Sequence, residues 1–335
     1  MLSKIYELGA PKNLYLRDEI LDENSLGIDE IIAETIYSAI SPGTEVTAYN
    51  GANPLRPGKV YPRVLGYCNI AKILAKGSKV IGFEIGDYIF THQSHRTFFK
   101  CNQNDIVIKV EEGIDLKQAA TAYLYHLGYH SLLSADAKAG YNIGVIGAGT
   151  LGYTTCMMSR LIGAKTFVFS NRQCLKNKLT DQSIFCFNKS VNEITEIESI
   201  THNVGLDIII NTSKNWDDWL LALQSVNKGG TILNLGFPGR EEPLPPFNPL
   251  DPKYVYVKNI VIKPLCYLNE LEIPHYDFRF TVKRNLLYIL DLIKEKKLNP
   301  NDLISDEIHY TSLRQQYEKY LNKDRSMFTT IINWK

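Results

Sequence analysis

The sequence lacks the features that mark membrane proteins, secreted proteins and nucleic-acid-binding proteins. No apolar run reaches the about eighteen residues that a membrane-spanning helix requires, and residues 1–7, MLSKIYE, lack the basic start and apolar centre of a signal peptide. The 37 basic and 36 acidic residues leave a net charge of only +1, which gives no reason to expect a nucleic acid or an anionic membrane as a partner. We therefore expect a cytoplasmic protein that binds a small-molecule substrate.

The sequence is also poor in cysteine pairs. The cysteines are scattered, at Cys68, Cys101, Cys156, Cys174, Cys186 and Cys266. None of them forms a CxxC pair, which favours reduced thiols over a disulfide or zinc framework. The chain has 335 residues, of which 44% are hydrophobic, so it is long enough for two domains with sizeable cores.

The pattern of apolar residues changes along the chain. Up to about residue 117, short alternating stretches are separated by turn residues, which is typical of a β-rich barrel. A predicted helix over Leu116–Ser134 follows, and strands and helices then alternate as in an α/β doubly wound parallel sheet. The predicted strands are Ile143–Ile146, Thr166–Phe169, Ile184–Phe187, Leu206–Asn211, Thr231–Leu235 and Ile260–Lys263. After Leu265 the pattern predicts a helix near Arg284–Lys296 and a strand at Phe328–Asn333.

A glycine-rich turn follows the first strand of the alternating region. Residues 145–152 read VIGAGTLG, which has the spacing GxGxxG, and a helix is predicted over Thr150–Ile162. The first glycine permits a tight turn, the second lets the backbone approach a pyrophosphate, and the third lets the helix pack closely on the strand. The N–H groups at the helix N-terminus suit the phosphates. The predicted phosphate-binding residues are Gly147, Gly149, Thr150, Leu151 and Gly152.

The end of the second strand of the alternating region indicates which dinucleotide is preferred. NAD-preferring sites place an Asp or Glu there, about twenty residues after the glycines, but residues 169–172 read FSNR. Ser170 and Asn171 can hydrogen-bond a 2′-phosphate, and Arg172 can pair with it. Lys176, one helical turn further, can add a second positive charge. The sequence thus predicts NADP(H) rather than NAD(H). The alternative is that Arg172 only stacks on the adenine or lies in solvent.

Further segments resemble the medium-chain dehydrogenase/reductase superfamily, the alcohol dehydrogenase-like proteins. Besides the glycine turn they are GDYI at 86–89, LDIIIN at 206–211, KGGTI at 228–232 and LG at 235–236. The resemblance covers almost the whole chain. Residues 38–45, SAISPGTE, are similar to the branch that contains bacteriochlorophyllide dehydrogenase and related sugar or cyclitol oxidoreductases.

The resemblance implies a fold and a domain division. A GroES-like β-rich catalytic domain is expected at residues 1–123 and 266–335, and a Rossmann dinucleotide-binding domain at residues 124–265. Asn211 and Gly236, at the ends of later strands, are expected to contribute to the cofactor site. In relatives the sheets of two Rossmann domains often join edge to edge, so a homodimer is expected by analogy.

The departures from the family pattern concern zinc. Zinc-dependent members have a Cys in the loop that here reads Ser41–Glu45, a His-Glu pair where this chain has Tyr67 and Cys68, and a third ligand near Tyr123. A catalytic zinc needs about three nitrogen, sulfur or carboxylate ligands. Because Pro42, Tyr67 and Tyr123 are not of these kinds, we predict a zinc-free enzyme.

One pair of histidines has a spacing that could be interpreted as metal-binding. His92 and His95 form an HxxH sequence. On a strand-like segment this spacing places the two rings on opposite faces, which disfavours a shared metal.

Without zinc, protein groups must polarise a carbonyl oxygen and exchange its proton. Tyr67 takes the position of a ligand histidine, and its phenol is a hydrogen-bond donor at neutral pH. His95 could relay a proton because imidazole titrates near neutrality. Glu45 could orient a substrate hydroxyl or hold its loop, and Tyr123 lies on the helix that leads into the Rossmann domain. The alternatives are that Tyr67 and Tyr123 only fill volume and that Glu45 caps the segment that follows it.

Three functional hypotheses follow. The first is a zinc-independent, NADPH-preferring oxidoreductase that interconverts a secondary alcohol and a ketone on a sugar, a nucleotide-linked sugar or a cyclitol. The second is a quinone or enoyl reductase, in which the proton can come from water, so that Tyr67 and His95 would tolerate substitution. The third is an NADPH-binding protein without turnover.

Overall fold

The computed structural model describes residues 1–54, 58–172, 179–240, 242–265, 279–322 and 326–335. The chain divides into two compact units. Met1–Tyr123 together with Leu268–Lys335 form the β-rich unit, and Leu124–Tyr267 form the parallel-sheet unit. Within the described ranges, no helix has both the length and the apolar character needed to span a bilayer.

Strands dominate the first part of the β-rich unit, as the alternating pattern predicts. The strands are β1 (Leu2–Ala10), β2 (Asn13–Ile20), β3 (Glu30–Ala39), β4 (Arg63–Val64), β5 (Asn69–Lys76), β6 (Tyr88–Thr91), β7 (Phe98–Asn102) and β8 (Ile106–Val110). The helices that begin in this part are α1 (Pro42–Tyr49), α2 (Leu116–Ala120) and α3 (Ala122–Ser134).

Strands and helices then alternate through the parallel-sheet unit. They are β9 (Asn142–Ile146), α4 (Thr150–Leu161), β10 (Lys165–Phe169), β11 (Phe185–Phe187), α5 (Ile194–Ile200), β12 (Leu206–Asn211), α6 (Trp216–Ser225), β13 (Val226–Asn234), α7 (Pro252–Val255) and β14 (Val261–Pro264). The last part of the chain returns to the β-rich unit with α8 (Val282–Lys294), β15 (Ile304–His309), α9 (Leu313–Leu321) and β16 (Thr329–Asn333).

The β-rich unit contains two sheets. The larger runs β15-β16-β3-β5-β6-β8, with β7 also paired to β3, and the smaller runs β2-β1-β4. β16 pairs antiparallel with β3 and parallel with β15, so the last strand lies beside the strand that leads into α1. A core cluster around Tyr49, Tyr317 and Trp334 joins α1, α9 and the residue after β16. The residues near the start of α1 are therefore held by segments from both ends of the chain.

The parallel-sheet unit has the strand order β11-β10-β9-β12-β13-β14, and every pairing along it is parallel. β9 and β12 are neighbours although β10 and β11 lie between them in sequence, so the strand order reverses there. Ligands of doubly wound sheets bind at such a switch point, beyond the carboxyl ends of the strands. The predicted α/β class is confirmed, and β12 covers the predicted residues Leu206–Asn211.

Two predicted elements differ from the structure. The helix expected over Leu116–Ser134 is divided at Thr121, because both the N–H and the hydroxyl of Thr121 donate to the carbonyl of Gln118 and close the first helix early. β13 begins at Val226 rather than Thr231. It continues through Gly229, whose φ is +76°, and its pairing with β12 shifts register between Leu206 and Ile208.

Candidate active site

A buried carboxylate, Glu45, holds the start of α1. Its Oε1 accepts the N–H of Ser41 at 2.8 Å, and its Oε2 accepts the hydroxyl of Tyr317 at 2.6 Å. The same Oε2 lies 2.8 Å from Nε2 of His95. Glu45 is only 1% exposed, so these partners take the place of water. The carboxylate reaches back to the residue before its helix, in the manner of a capping side chain, and does not cap the segment that follows it.

His95 lies inside the β-rich unit with both ring nitrogens engaged. It is fully buried, with Nε2 on Glu45 and Nδ1 3.0 Å from Oγ of Ser38. The same Ser38 oxygen accepts the indole N–H of Trp334 at 2.9 Å. The structure thus brings together the predicted residues Glu45 and His95. The role of His95 as a proton relay stays a prediction.

Tyr67 also contacts Ser41, the residue that directly precedes α1. The hydroxyls of Tyr67 and Ser41 are hydrogen-bonded, with their oxygens 2.5 Å apart. Burial, followed by the neighbouring Cys68 and Glu45, raises the pKa of Tyr67 well above its ordinary range, although hydrogen bonds with Ser41 and Thr44 lower it. The phenol therefore stays protonated at neutral pH and is available as a hydrogen-bond donor.

Tyr123 and His92 complete an aromatic cluster with Tyr67. The Tyr67 and Tyr123 rings meet edge to face, with centroids 5.6 Å apart and an interplanar angle of 77°. The His92 ring lies 4.7 Å from Tyr123 at 72°, and its Nδ1 lies 2.9 Å from the carbonyl oxygen of Tyr67. Edge-to-face contacts of this kind fix ring orientation. The four predicted catalytic residues, Tyr67, His95, Glu45 and Tyr123, all lie in the β-rich unit.

The expectation that His92 and His95 lie on a strand is wrong. The ladder between β5 and β6 ends at the pair Asn69 and Thr91, and the chain leaves the sheet there. His92 then contacts Tyr67 and Tyr123, whereas His95 enters the buried network around Glu45. Across the ranges that the structure describes, no group of three or more His, Cys, Asp or Glu side chains is placed to hold a metal ion. Zinc independence remains a prediction.

Sequence reasoning missed several members of this site. His92 was considered only as a metal ligand, although it directly follows a strand that pairs with the strand after Tyr67. Ser38 and Ser41 lay within the quoted SAISPGTE segment but were not selected. Tyr317 and Trp334 gave no local signal, since they are more than 250 residues from Glu45 in sequence and meet its network only in the fold.

The parallel-sheet unit places the glycine turn between β9 and α4. Gly147 has φ of +94°, and a Cβ added to Gly152 would lie 1.8 Å from the carbonyl oxygen of Gly147. Both positions therefore require glycine for the fold itself. A Cβ on Gly149 would meet nothing within 4 Å. Gly149 also precedes Thr150, where α4 begins, and has no side chain to cap that helix.

The residues predicted to select the cofactor follow β10. Oγ of Ser170 accepts the N–H of Arg172 at 3.1 Å, and Oδ1 of Asn171 accepts the N–H of Lys189 at 3.3 Å. Asn171 is exposed and Arg172 is partly exposed. Two of the predicted phosphate-binding side chains thus also shape the turn. Lys176 lies outside the described residues.

Asn211 and Gly236 connect the ends of β12 and β13. Asn211 is buried, and its Oδ1 accepts the N–H of Ser213 at 3.1 Å while its Nδ2 donates to Oδ1 of Asn234 at 3.3 Å. A Cβ on Gly236 would lie 2.4 Å from the carbonyl oxygen of Ser213. Both residues therefore have a structural role at the carboxyl edge of the sheet, and their contact with a cofactor stays a prediction.

Comparisons with known proteins bear on the superfamily. No family model matches the chain. D-guloside 3-dehydrogenase of Escherichia coli (strain K12) is 22% identical over 331 residues, which cover 90% of this chain and 92% of that protein. Sorbitol dehydrogenase of Bacillus subtilis (strain 168) is 20% identical over 261 residues, which cover 68% of this chain and 73% of that protein.

A solved structure extends the likeness to the whole fold. A protein from Sinorhizobium meliloti 1021, described as a zinc-binding dehydrogenase and bound to NADP, superposes with a TM-score of 0.81 at 15% identity and covers 99% of both chains. The predicted resemblance is confirmed: this chain has the fold of the medium-chain dehydrogenase/reductase superfamily, and the curated proteins it is similar to are dehydrogenases.

Proposed function

We propose that the chain is a zinc-independent, NADPH-preferring oxidoreductase that interconverts a secondary alcohol and a ketone. The substrate is a sugar, a nucleotide-linked sugar or a cyclitol. The names of the two curated relatives, a D-guloside 3-dehydrogenase and a sorbitol dehydrogenase, support a sugar or polyol. A homodimer and a cytoplasmic location are further parts of this proposal.

The observation that carries the chemistry is the position of the Tyr67 hydroxyl, which is hydrogen-bonded to Ser41, the residue whose N–H is held by the buried Glu45. Reduction of a ketone adds a hydride to the carbonyl carbon and a proton to the oxygen. When the Ser41 hydroxyl is the donor in its bond with Tyr67, the Tyr67 phenol, whose pKa is raised by burial, keeps its own proton at neutral pH and can hydrogen-bond the carbonyl oxygen as negative charge develops there. The proton then passes from Tyr67 to the alkoxide, and Thr44, which is exposed and hydrogen-bonded to Tyr67, connects the phenol to solvent for its replacement.

The residues of the parallel-sheet unit fit a dinucleotide. The open space beside Gly149 leaves room for a pyrophosphate against the start of α4, and Arg172 supplies a positive charge after β10, where no carboxylate is present. When bound, NADPH supplies the hydride. The residues proposed to hold it are Gly147, Gly149, Thr150, Leu151, Gly152, Ser170, Asn171, Arg172, Lys176, Asn211 and Gly236.

The experiment compares NADPH with NADH as fluorescent ligands of the purified protein and then screens ketoses and cyclitol ketones for NADPH oxidation. With an active ketone in hand, we expect Tyr67→Phe to lower kcat at least about a hundredfold, because general acid catalysis contributes that much or more. Tyr15→Phe is the matched control, since its hydroxyl donates to Glu7 at an exposed position of the same unit.

Each outcome decides between the hypotheses. Unchanged turnover of Tyr67→Phe would remove Tyr67 from the chemistry, and turnover of enones in place of ketones would favour a C=C reductase. Tight NADPH binding without oxidation by either panel would favour a non-catalytic protein. Stoichiometric zinc in the purified protein would contradict the proposed metal independence.

A further inference from the structure

A line of buried polar groups runs through the β-rich unit and ends at Ser41. The indole N–H of Trp334 donates to Oγ of Ser38 at 2.9 Å, and this oxygen lies 3.0 Å from Nδ1 of His95. Nε2 of His95 lies 2.8 Å from Glu45, whose other oxygen accepts the N–H of Ser41 at 2.8 Å. None of the five residues is more than 5% exposed.

The chemistry of these groups determines which atom donates and which accepts in each hydrogen bond of the line. An indole N–H can only donate, so the Ser38 oxygen accepts from Trp334, and the single Ser38 proton remains to be donated. An ionised carboxylate can only accept, so Nε2 of His95 carries the proton that Glu45 receives. With His95 neutral, Nδ1 accepts the Ser38 proton and every bond has one donor and one acceptor. A cationic His95 would present Ser38 with a second donor and leave the Ser38 proton without this acceptor.

We infer that Trp334 is a positioning residue, which acts through Ser38, His95 and Glu45 to hold Ser41, the hydrogen-bond partner of the Tyr67 hydroxyl. Its indole N–H fixes the orientation of the Ser38 hydroxyl, and this fixes the neutral Nε2–H form of His95. That form holds the Glu45 carboxylate in place against the backbone of Ser41. Only the consequence for turnover rests on the proposed function.

The ring of Trp334 packs against other residues than the one that its N–H hydrogen-bonds. Its ring is nearly parallel to Tyr310, at 5.2 Å and 5°, and to His95, at 6.4 Å and 24°. A phenylalanine at this position keeps an aromatic ring against these neighbours but removes the donor together with part of the indole volume. The substitution Trp334→Phe therefore tests the hydrogen bond only beside a control that loses the same volume, which Trp219→Phe provides.

The strand before Trp334 provides an internal reference. β16 pairs with β3 at Ile332 and Ser38, and the carbonyl of Thr330 accepts the N–H of Ile40 at 3.0 Å. Ile40 directly precedes Ser41, but its N–H is held by the strand and not by Glu45. A variant that only loosens β16 must therefore affect the Ile40 amide, whereas the line through His95 acts on the Ser41 amide.

The test is amide hydrogen exchange of the full chain measured by NMR. In Trp334→Phe we expect the Ser41 amide to exchange about tenfold faster, with the Ile40 amide unchanged. Trp219→Phe is the matched control, because it removes a buried indole N–H bonded to the Pro249 carbonyl at 2.9 Å in the other unit. Neither amide should change in that control.

The inference is overturned if the Ser41 amide is unaffected in Trp334→Phe, if Ser41 and Ile40 accelerate by the same factor, or if Trp219→Phe gives the same change. Should Trp334→Phe fail to fold, Ser38→Ala breaks the same line and must give the same pattern of Ser41 and Ile40 exchange.

Kinetics separate this inference from the proposed function. With an active ketone, Trp334→Phe should lower kcat about tenfold and leave KM for NADPH unchanged. Failure to find any substrate would count against the proposed function, while the exchange measurement would still decide the role of Trp334.

Discussion

The two units position their candidate site residues by different physical means. In the parallel-sheet unit the glycine turn presents backbone groups, and two of its glycines are required because no Cβ fits or because φ is positive. In the β-rich unit the site consists of buried side chains that satisfy one another, centred on Glu45. A backbone site depends on a few small residues that are adjacent in sequence, whereas a side-chain site depends on partners from distant segments.

The largest effect is expected from a substitution that disrupts the side-chain site of the β-rich unit. Glu45→Ala leaves the N–H of Ser41, the hydroxyl of Tyr317 and Nε2 of His95 without their acceptor inside the fold. We expect the free energy of unfolding to fall by about 4 kcal/mol, as for other buried polar groups that lose their partner. Urea unfolding followed by circular dichroism measures this. Glu84→Ala is the control, because the Glu84 side chain is 73% exposed and forms a surface ion pair with Lys76. Equal losses in both variants would show that Glu45 is not a centre of stability.

The next largest effect is expected from two substitutions in the glycine turn. One of them changes stability and the other changes cofactor binding. In Gly152→Ala the new Cβ meets the Gly147 carbonyl, and we expect a loss of about 3 kcal/mol in the free energy of unfolding. In Gly149→Ala the Cβ enters open space at a φ of −76° that any residue adopts, so stability should be unchanged while NADPH affinity falls. Urea unfolding and a fluorescence titration of each variant give the two values. Unchanged NADPH binding by Gly149→Ala would remove the glycine turn from the cofactor site.

This difference also explains what could be predicted from the sequence. The order of β9, α4 and β10 and the roles of Gly147 and Gly152 follow from neighbouring residues, because turn geometry and hydrophobic periodicity are local. Tyr67 was selected from a resemblance and His95 from the chemistry of imidazole, and their arrangement around Glu45 was not predictable. Tyr317 and Trp334 reach the site through α9 and β16, and only long-range packing determines this. The start of α1 was not predicted, because the segment Ser41–Glu45 was expected to form a loop, although proline also suits the first position of a helix.

A smaller effect is expected from a substitution in the parallel-sheet unit that tests the preference for NADPH over NADH. Arg172→Ala removes the positive charge that follows β10, and we expect NADPH affinity to fall about tenfold while NADH affinity changes little, because only NADPH carries the 2′-phosphate. Arg160→Ala, at an exposed position near the end of α4, removes the same charge elsewhere in the unit and should leave both affinities unchanged. Equal losses of NADPH and NADH affinity in Arg172→Ala would indicate stacking on the adenine instead.

The smallest expected effect concerns alkaline pH, which acts on the buried tyrosines of the β-rich unit. Tyr6 is 4% exposed and donates to the carbonyl of Tyr310 at 2.8 Å; burial, followed by the neighbouring Tyr310, raises the pKa of Tyr6 from 10.0 to about 12. Because the pKa is higher in the folded protein than in the unfolded chain, the stabilisation is fully present below pH 10 and is lost as the pH rises towards 12.

The variant Tyr6→Phe has no ionisable group at this position, so the difference in unfolding free energy between it and the natural chain should shrink by about 1 kcal/mol between pH 9 and pH 12. Urea unfolding of both proteins across this range measures the difference, and the value at pH 7 isolates the hydrogen bond to Tyr310 from the ionisation. A difference that stays constant with pH would show that Tyr6 ionises as easily in the fold as in the unfolded chain. Burial of the Tyr6 hydroxyl would then make no pH-dependent contribution to the stability of this unit.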